Sequence, residues 1–144
     1  MRRDRNPSEA RLRSVARKHK PKGWTVRERD VPFEVFTTLG SAVHHERRIE
    51  TLPLTDRQGL FVFLHECGHV HCKHGARSDL PRWQEEYEAE CYAIDAMHAA
   101  GIAVPRLPLQ EGRHNVAAQI PADATDIPAR VLQFAYGRKW RDHE

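Results

Sequence analysis

The sequence predicts one α+β domain: an N-terminal helix, a small antiparallel sheet, two long consecutive helices packed on that sheet, and a closing C-terminal helix. Three observations predict it. A helix-forming stretch at 8–19 carries Leu12, Val15 and Ala16 on one side; the chain from Trp24 to Leu52 sets apolar residues in short, interrupted runs; and beyond Pro53 two long segments return to helical spacing. At 144 residues the chain has the length of a single domain. Within it, residues 1–22 form a basic N-terminal helix or arm, 24–104 the core, and 105–144 a tail with its own helix.

The elements follow in order. Pro7 starts the first helix, and Pro21 with Gly23 stops it. Trp24 and Val26, then Phe33, Val35 and Phe36, then Ala42 and Val43, then Ile49 and Leu52 read as three or four short antiparallel strands, broken by Pro32, Gly40 and the polar turn His45-Glu46-Arg47-Arg48. Thr55-Asp56-Arg57-Gln58 has the form of a capping box, so a helix is expected from about Asp56 to about Lys73, stopping at Gly75 as a left-handed cap. Ser78 or Asp79 should cap the next helix, with Pro81 in its first turn and Gly101 at its end. Trp83, Tyr87, Ile94 and the Ala89/Ala93/Ala96/Ala100 row give that helix a buried side. Residues 104–123, rich in Pro and Gly, read as irregular, and a last helix should run from Asp126 to about Trp140.

Composition narrows the setting. Hydrophobic residues make up 40% and charged residues 30%, which suits a soluble globular domain, and the longest apolar run, Leu60 to Leu64, is far below the roughly 20 residues that span a bilayer. No secretory signal is visible, and Cys67, Cys72 and Cys91 offer neither a disulfide framework nor a C-x-x-C pair, so a cytoplasmic location is expected. Charge is uneven: nine Lys/Arg against Asp4 and Glu9 give residues 1–22 a local +7, which leaves −4 of the net +3 for the rest. Such a segment can touch nucleic acid or an acidic partner, although basic termini are commonly just solvated.

Five of the ten histidines (His65, His69, His71, His74 and His98) and all three cysteines lie between residues 65 and 98. There His65-Glu66-Cys67-Gly68-His69 sets two histidines four apart on a predicted helix, one turn above the other, where they can share a tetrahedral zinc ion. Glu66 points about 100° away from that line, out of the ligand shell but within reach of a water to be deprotonated. With this many His and Glu, the pattern arises by chance in about one such composition in twenty, so its surroundings must decide. The apolar lead-in Leu60 to Leu64 would bury the helix and fix the histidines, and Gly68 lets another helix come close. A third ligand should come from Glu85, Glu86, Glu88 or Glu90 on the next helix, of which Glu86 and Glu90 share a face. His71 and His74 read as helix-end histidines favoured by the C-terminal dipole, and the cysteines as packing residues.

The His-Glu-x-Gly-His run, followed by Glu86, Ala89, Tyr92 and Ala93 in a Glu-x-x-Ala-x-x-aromatic-Ala pattern, resembles the ImmA/IrrE family of zinc peptidases over about residues 50–95. The resemblance implies a zincin-like core with Zn2+ held by His65, His69 and Glu86, and Glu66 as general base. It also implies that Glu90, standing where the wider class has Asp or Asn, orients a ligand histidine through its second nitrogen. The implied activity is hydrolysis of a peptide bond in an intracellular protein, such as a transcriptional repressor, with an extended substrate lying along a sheet edge. Tyr87, Tyr92, His114 and Tyr136 are the candidates for stabilising an oxyanion. The alternative class is a non-catalytic zinc-containing regulatory module in a phage or toxin–antitoxin setting, using the basic arm on DNA or a protein partner.

Overall fold

The computed structural model describes residues 2–30, 40–75 and 78–137, and within them the α+β architecture holds. The elements are α1 (Glu9–His19), β1 (Thr25–Glu28), β2 (Ser41–Val43), β3 (Arg48–Thr51), α2 (Arg57–His71), α3 (Arg82–Ala99), α4 (Arg106–Gln119) and α5 (Ala129–Tyr136). The expected strand through Phe33, Val35 and Phe36 and the end of the last helix near Trp140 lie outside the described residues.

The sheet is mixed rather than antiparallel. Its order is β1-β3-β2, with β2 antiparallel to β3 and β1 parallel to it, and Val26 and Ala42 both register on Ile49. A 3-10 turn at His44–Glu46 and a left-handed Arg47 join β2 to β3, which forces them antiparallel. The chain from Arg29 to Arg47 exceeds the dozen or so residues that a parallel neighbour requires, so β1 can take the opposite edge in the same direction as β3. Ile49 is fully buried at the centre, and it packs with α2 in the core.

Helix α2 is buried nearly all round, with Leu60, Phe61, Val62, Phe63, Leu64 and Cys67 in the interior, as expected for a central helix. Each of the large side chains among them contributes roughly 1.5–3 kcal/mol on burial. Asp56, not Thr55, is its cap: the carboxylate accepts the Gly59 N–H at 2.8 Å. At its other end Lys73 N–H bonds to Val70 O (3.0 Å) and His74 N–H to His69 O (2.8 Å), a Schellman turn with Lys73 in the left-handed conformation instead of Gly75. That turn sends His74 back towards the helix it has just left.

Helix α3 starts after Pro81 with no side-chain cap, so neither Ser78 nor Asp79 serves as one. It ends in a second such turn at Gly101, as expected. Residues 106–119 form a helix where the sequence predicts an irregular tail: Pro108 falls in the first turn, where no intrahelical N–H is needed. The last helix begins at Ala129 after Pro128, later than Asp126.

The basic N-terminal segment is docked rather than free. Leu12 and Ala16 are buried against the core, Asp4 bridges to Ile102, and Arg11 bonds to both Asp4 (2.7 Å) and Ala100 O (2.6 Å). Arg13 grips Glu28 through two 3.0 Å bonds, and Glu28 also accepts the Leu54 N–H at 2.7 Å. Thus one carboxylate ties α1 and β1 to the approach to α2.

The bonds from Arg13, above all, hold the Glu28 carboxyl below its ordinary value of 4.5. Such a group stabilises the fold above its unfolded pKa and loses that contribution as pH falls through the lower folded value. Because the pair is partly solvent-screened, Glu28→Gln should cost about 1 kcal/mol at pH 7. Urea denaturation checks this: the gap between variant and parent should narrow steadily as the pH is taken below about 4.5.

Candidate metal centre

Two helices bring the centre together. Gly68 of α2 faces α3 so closely that a Cβ there would lie 3.0 Å from Ala89 Cα and 3.0 Å from Tyr92 Cβ. Only a residue without a side chain allows that approach. Three residues before Gly68 and one after it, α2 presents His65 and His69, and α3 answers with Glu86 and Glu90.

His65 Nε2 and His69 Nε2 lie 3.0 Å apart, and Glu86 reaches them at 3.3 Å through Oε2 and 3.6 Å through Oε1. One ligand atom from each of the three falls within a 4.8 Å group. Ligands about 2.0–2.1 Å from a tetrahedral zinc are about 3.3 Å from one another, so these spacings match that edge. The far nitrogens are occupied: His65 Nδ1 is 2.7 Å from Glu90 Oε1, and His69 Nδ1 is 3.1 Å from His74 Nδ1. The first of these is a close ionic contact rather than a well-aligned hydrogen bond, and Glu90 Oε2 is buried without a partner. Both imidazoles are thereby turned with Nε2 inward.

Glu86 is almost fully buried, and its orientation is set from outside the pair of helices. Asn115 Nδ2 of α4 donates to its Oε2 at 2.8 Å, and Arg82 Nη2 contacts its Oε1 at 2.6 Å. Sequence reasoning misses both. Arg82 stands four before Glu86 on the same face of α3, a signal that the sequence does carry, whereas Asn115 arrives from a stretch that reads as irregular.

Electrostatics separates the carboxyls. Burial pushes Glu66 up to about 7, despite the Ala42 backbone N–H that bonds to it. Burial also raises Glu90. For Glu86 burial works the same way, but bonds to His65 and His69 outweigh it and hold the carboxyl well below the usual range. Burial disfavours charge on His65, yet Glu90, Glu86 and Glu66 together keep its pKa well above an ordinary histidine. Burial lowers that of His69.

Strand β2, which supplies Ala42, is an edge of the sheet among the described residues and lies beside Glu66. The tyrosines expected as oxyanion candidates make other contacts. Tyr87 packs edge-on against Phe134, Tyr92 bonds to His19 at 2.7 Å, and Tyr136 bonds to Ala117 O at 3.4 Å. His114 is exposed on α4. His71 stacks on Tyr92 and bonds to His19 O, tying α2 to α1. His74, which the sequence reads as a helix-end histidine favoured by the dipole, is buried between His69 and Glu88.

No family model matches the chain, and neither does any curated protein or solved structure. The site therefore rests on its own geometry.

Gly112 of α4 leaves room for Glu90, since a Cβ there would fall 2.2 Å from the carboxyl carbon. Gly112→Ala should destabilise the protein by about 1–3 kcal/mol despite the better helix propensity of Ala, because either Glu90 or α4 must move. Equal or greater stability on urea denaturation would show that α4 does not bear on Glu90.

Proposed function

We propose that the chain is a zinc-dependent endopeptidase, with the metal held by His65, His69 and Glu86 and with Glu66 as the general base. The observation that carries this reading is the convergence of two inward-facing Nε2 atoms and one buried carboxylate beside a fourth group, Glu66, poised to exchange protons near pH 7. The donor set fits zinc: two imidazoles and a carboxylate, each steadied from behind, with the charged Glu86 offsetting part of a divalent charge. When bound, zinc would supply the Lewis acidity that activates a water and polarises a carbonyl.

The chain's own residues would do the rest. Glu66 takes the proton of the attacking water and returns it to the leaving amine, which a carboxyl with a pKa of about 7 can do in both directions. Glu90 fixes His65 through Nδ1, while Asn115 and Arg82 hold Glu86 in place. An extended peptide can add to the edge of β2, next to Glu66, through its main chain. That geometry favours extended or locally unfolded segments of a protein substrate, and the resemblance to ImmA/IrrE peptidases points to a regulatory protein such as a transcriptional repressor. No helix of the described residues is long and apolar enough to cross a membrane.

A non-catalytic zinc module that binds DNA through the basic N-terminal segment is the alternative. The packing of α1 counts against it, since Arg11 and Arg13 are already committed to Asp4, Glu9 and Glu28.

Glu66→Gln separates the two readings. Metal content should remain at the parent level while cleavage of unfolded, dye-labelled casein falls by about 10²–10⁴-fold, as is usual on removing a general base. Undiminished cleavage by this variant, or cleavage that survives chelation, would sink the proposal. His65→Ala or Glu86→Ala should lose the ion of this centre and turnover together.

A further inference from the structure

Behind the first centre lies a second group with the chemistry of a metal site. Cys72 caps the C-terminus of α2, His74 follows it across the left-handed Lys73, and Glu88 projects from α3; one ligand atom of each falls within 4.8 Å of the others. The fold gives each a fixed place. The Schellman turn sets Cys72 and His74 two residues apart. Gln84 Nε2 donates to Glu88 Oε1 at 3.1 Å, leaving Oε2 directed at His74 Nε2, 2.8 Å away. The His74 side chain is fully buried, whereas Cys72 and Glu88 are partly exposed, so an ion has a way in and a buried nitrogen to meet.

We propose that Cys72, His74 and Glu88 form a second metal site, for a thiophilic divalent cation of the zinc, cobalt or cadmium class, joined to the His65–His69–Glu86 centre through the imidazoles of His74 and His69. The donor set selects the class: one sulfur, one imidazole nitrogen and one carboxylate oxygen suit zinc and its mimics and disfavour magnesium or calcium, which require oxygen ligands. Three protein ligands with one side open to solvent leave a position for water. Binding the ion releases the thiol proton of Cys72, while neutral His74 keeps its one hydrogen, which must then sit on Nδ1 rather than between Nε2 and Glu88.

The junction couples the two sites. His69 Nδ1 and His74 Nδ1 are 3.1 Å apart, and one must donate while the other accepts. A metal on His69 Nε2 leaves the hydrogen on His69 Nδ1, which then donates to His74 Nδ1. That sets the His74 hydrogen on Nε2, the atom the second ion needs. Filling both sites therefore breaks the imidazole contact, and each ion weakens the other. This coupling rests on the first centre being a metal site, whereas the second site itself does not.

The test is a titration of the metal-free full-length chain with Co2+, following thiolate-to-metal charge-transfer absorption together with metal content per chain. The first centre holds no sulfur, so the absorption reports the second site alone. Two ions per chain and a thiolate band are expected. Cys72→Ser should remove the band and one ion, and Glu88→Gln, which removes the charge at nearly unchanged size, should weaken the band's onset by about tenfold or more. Cys67→Ser and Cys91→Ser should leave it. Emptying the first centre with His65→Ala should keep the band and shift its midpoint to about tenfold lower Co2+, within the usual range for coupled sites. No band at saturating Co2+, or a band that survives Cys72→Ser, overturns the second site, and an unmoved midpoint in His65→Ala overturns the coupling. A single ion without a thiolate band would leave the peptidase reading standing and remove this one; a single ion with the band would do the reverse.

Discussion

The close crossing of α2 over α3 at Gly68 and Ala89 is the constraint on which the rest depends. A side chain at position 68 would press on the backbone of α3, and the two helices would separate by a fraction of a methyl group or more. That distance matters because everything of chemical interest is stacked along the crossing. His65 and Glu90 meet below it, His69 and Glu86 beside it, and His74 with Glu88 beyond the end of α2. Since α2 is gripped by the core through Leu60 to Leu64, it cannot slide to follow α3 if that helix moves away. The rigidity of the centre is inherited from the packing of its central helix.

Burying Glu66, Glu86 and Glu90 around the same pair of histidines would ordinarily be costly, and the structure shows how the cost is divided. Glu86 keeps its charge because His65, His69, Asn115 and Arg82 all address it. Glu66 and Glu90 have fewer partners, and burial raises both. One fold therefore holds neighbouring carboxyls at different points of readiness: a permanently charged one suited to binding a cation, and one near neutrality suited to moving a proton. Neither property belongs to glutamate as such; each follows from what the helices and β2 set around the carboxyl.

Much of this is legible in the sequence, for physical reasons. The periodicity of 57–71 and 82–99 announces two helices, and the four-residue spacings of His65/His69 and Glu86/Glu90 fix which side chains share a face, whatever the tertiary structure does. The direction of β1 is not legible, because alternation of side chains is the same in a parallel and an antiparallel strand. Helix α4 is hidden by Pro108 and Gly112, which punctuate most sequences as loops. In the fold Pro108 costs nothing in a first turn, and Gly112 answers to a neighbour rather than to the helix. With α4 hidden, nothing in the sequence places Asn115 on Glu86. His74 escapes a reading by helix position because its place depends on the turn at Lys73, a left-handed conformation for a residue that rarely adopts it.

Glu90 shows how such distant choices lock together. Glu90 has one methylene more than an aspartate, and that length has to be accommodated if the carboxyl is to reach His65. The structure places the carboxyl 2.7 Å from His65 Nδ1 and simultaneously so near α4 that only a glycine fits opposite. The longer side chain and the missing one are two halves of a single accommodation: length is added on α3 and removed on α4. A helix whose sequence reads as an irregular tail is thus part of the wall of the centre, contributing Gly112 as space for Glu90 and Asn115 as a bond to Glu86. Because 112 and 115 are three apart on α4, they face the same side, and a rotation of that helix would disturb both acidic residues of α3 at once. The docking of α4 on α3 therefore helps to fix the orientation in which Glu86 and Glu90 face the two histidines.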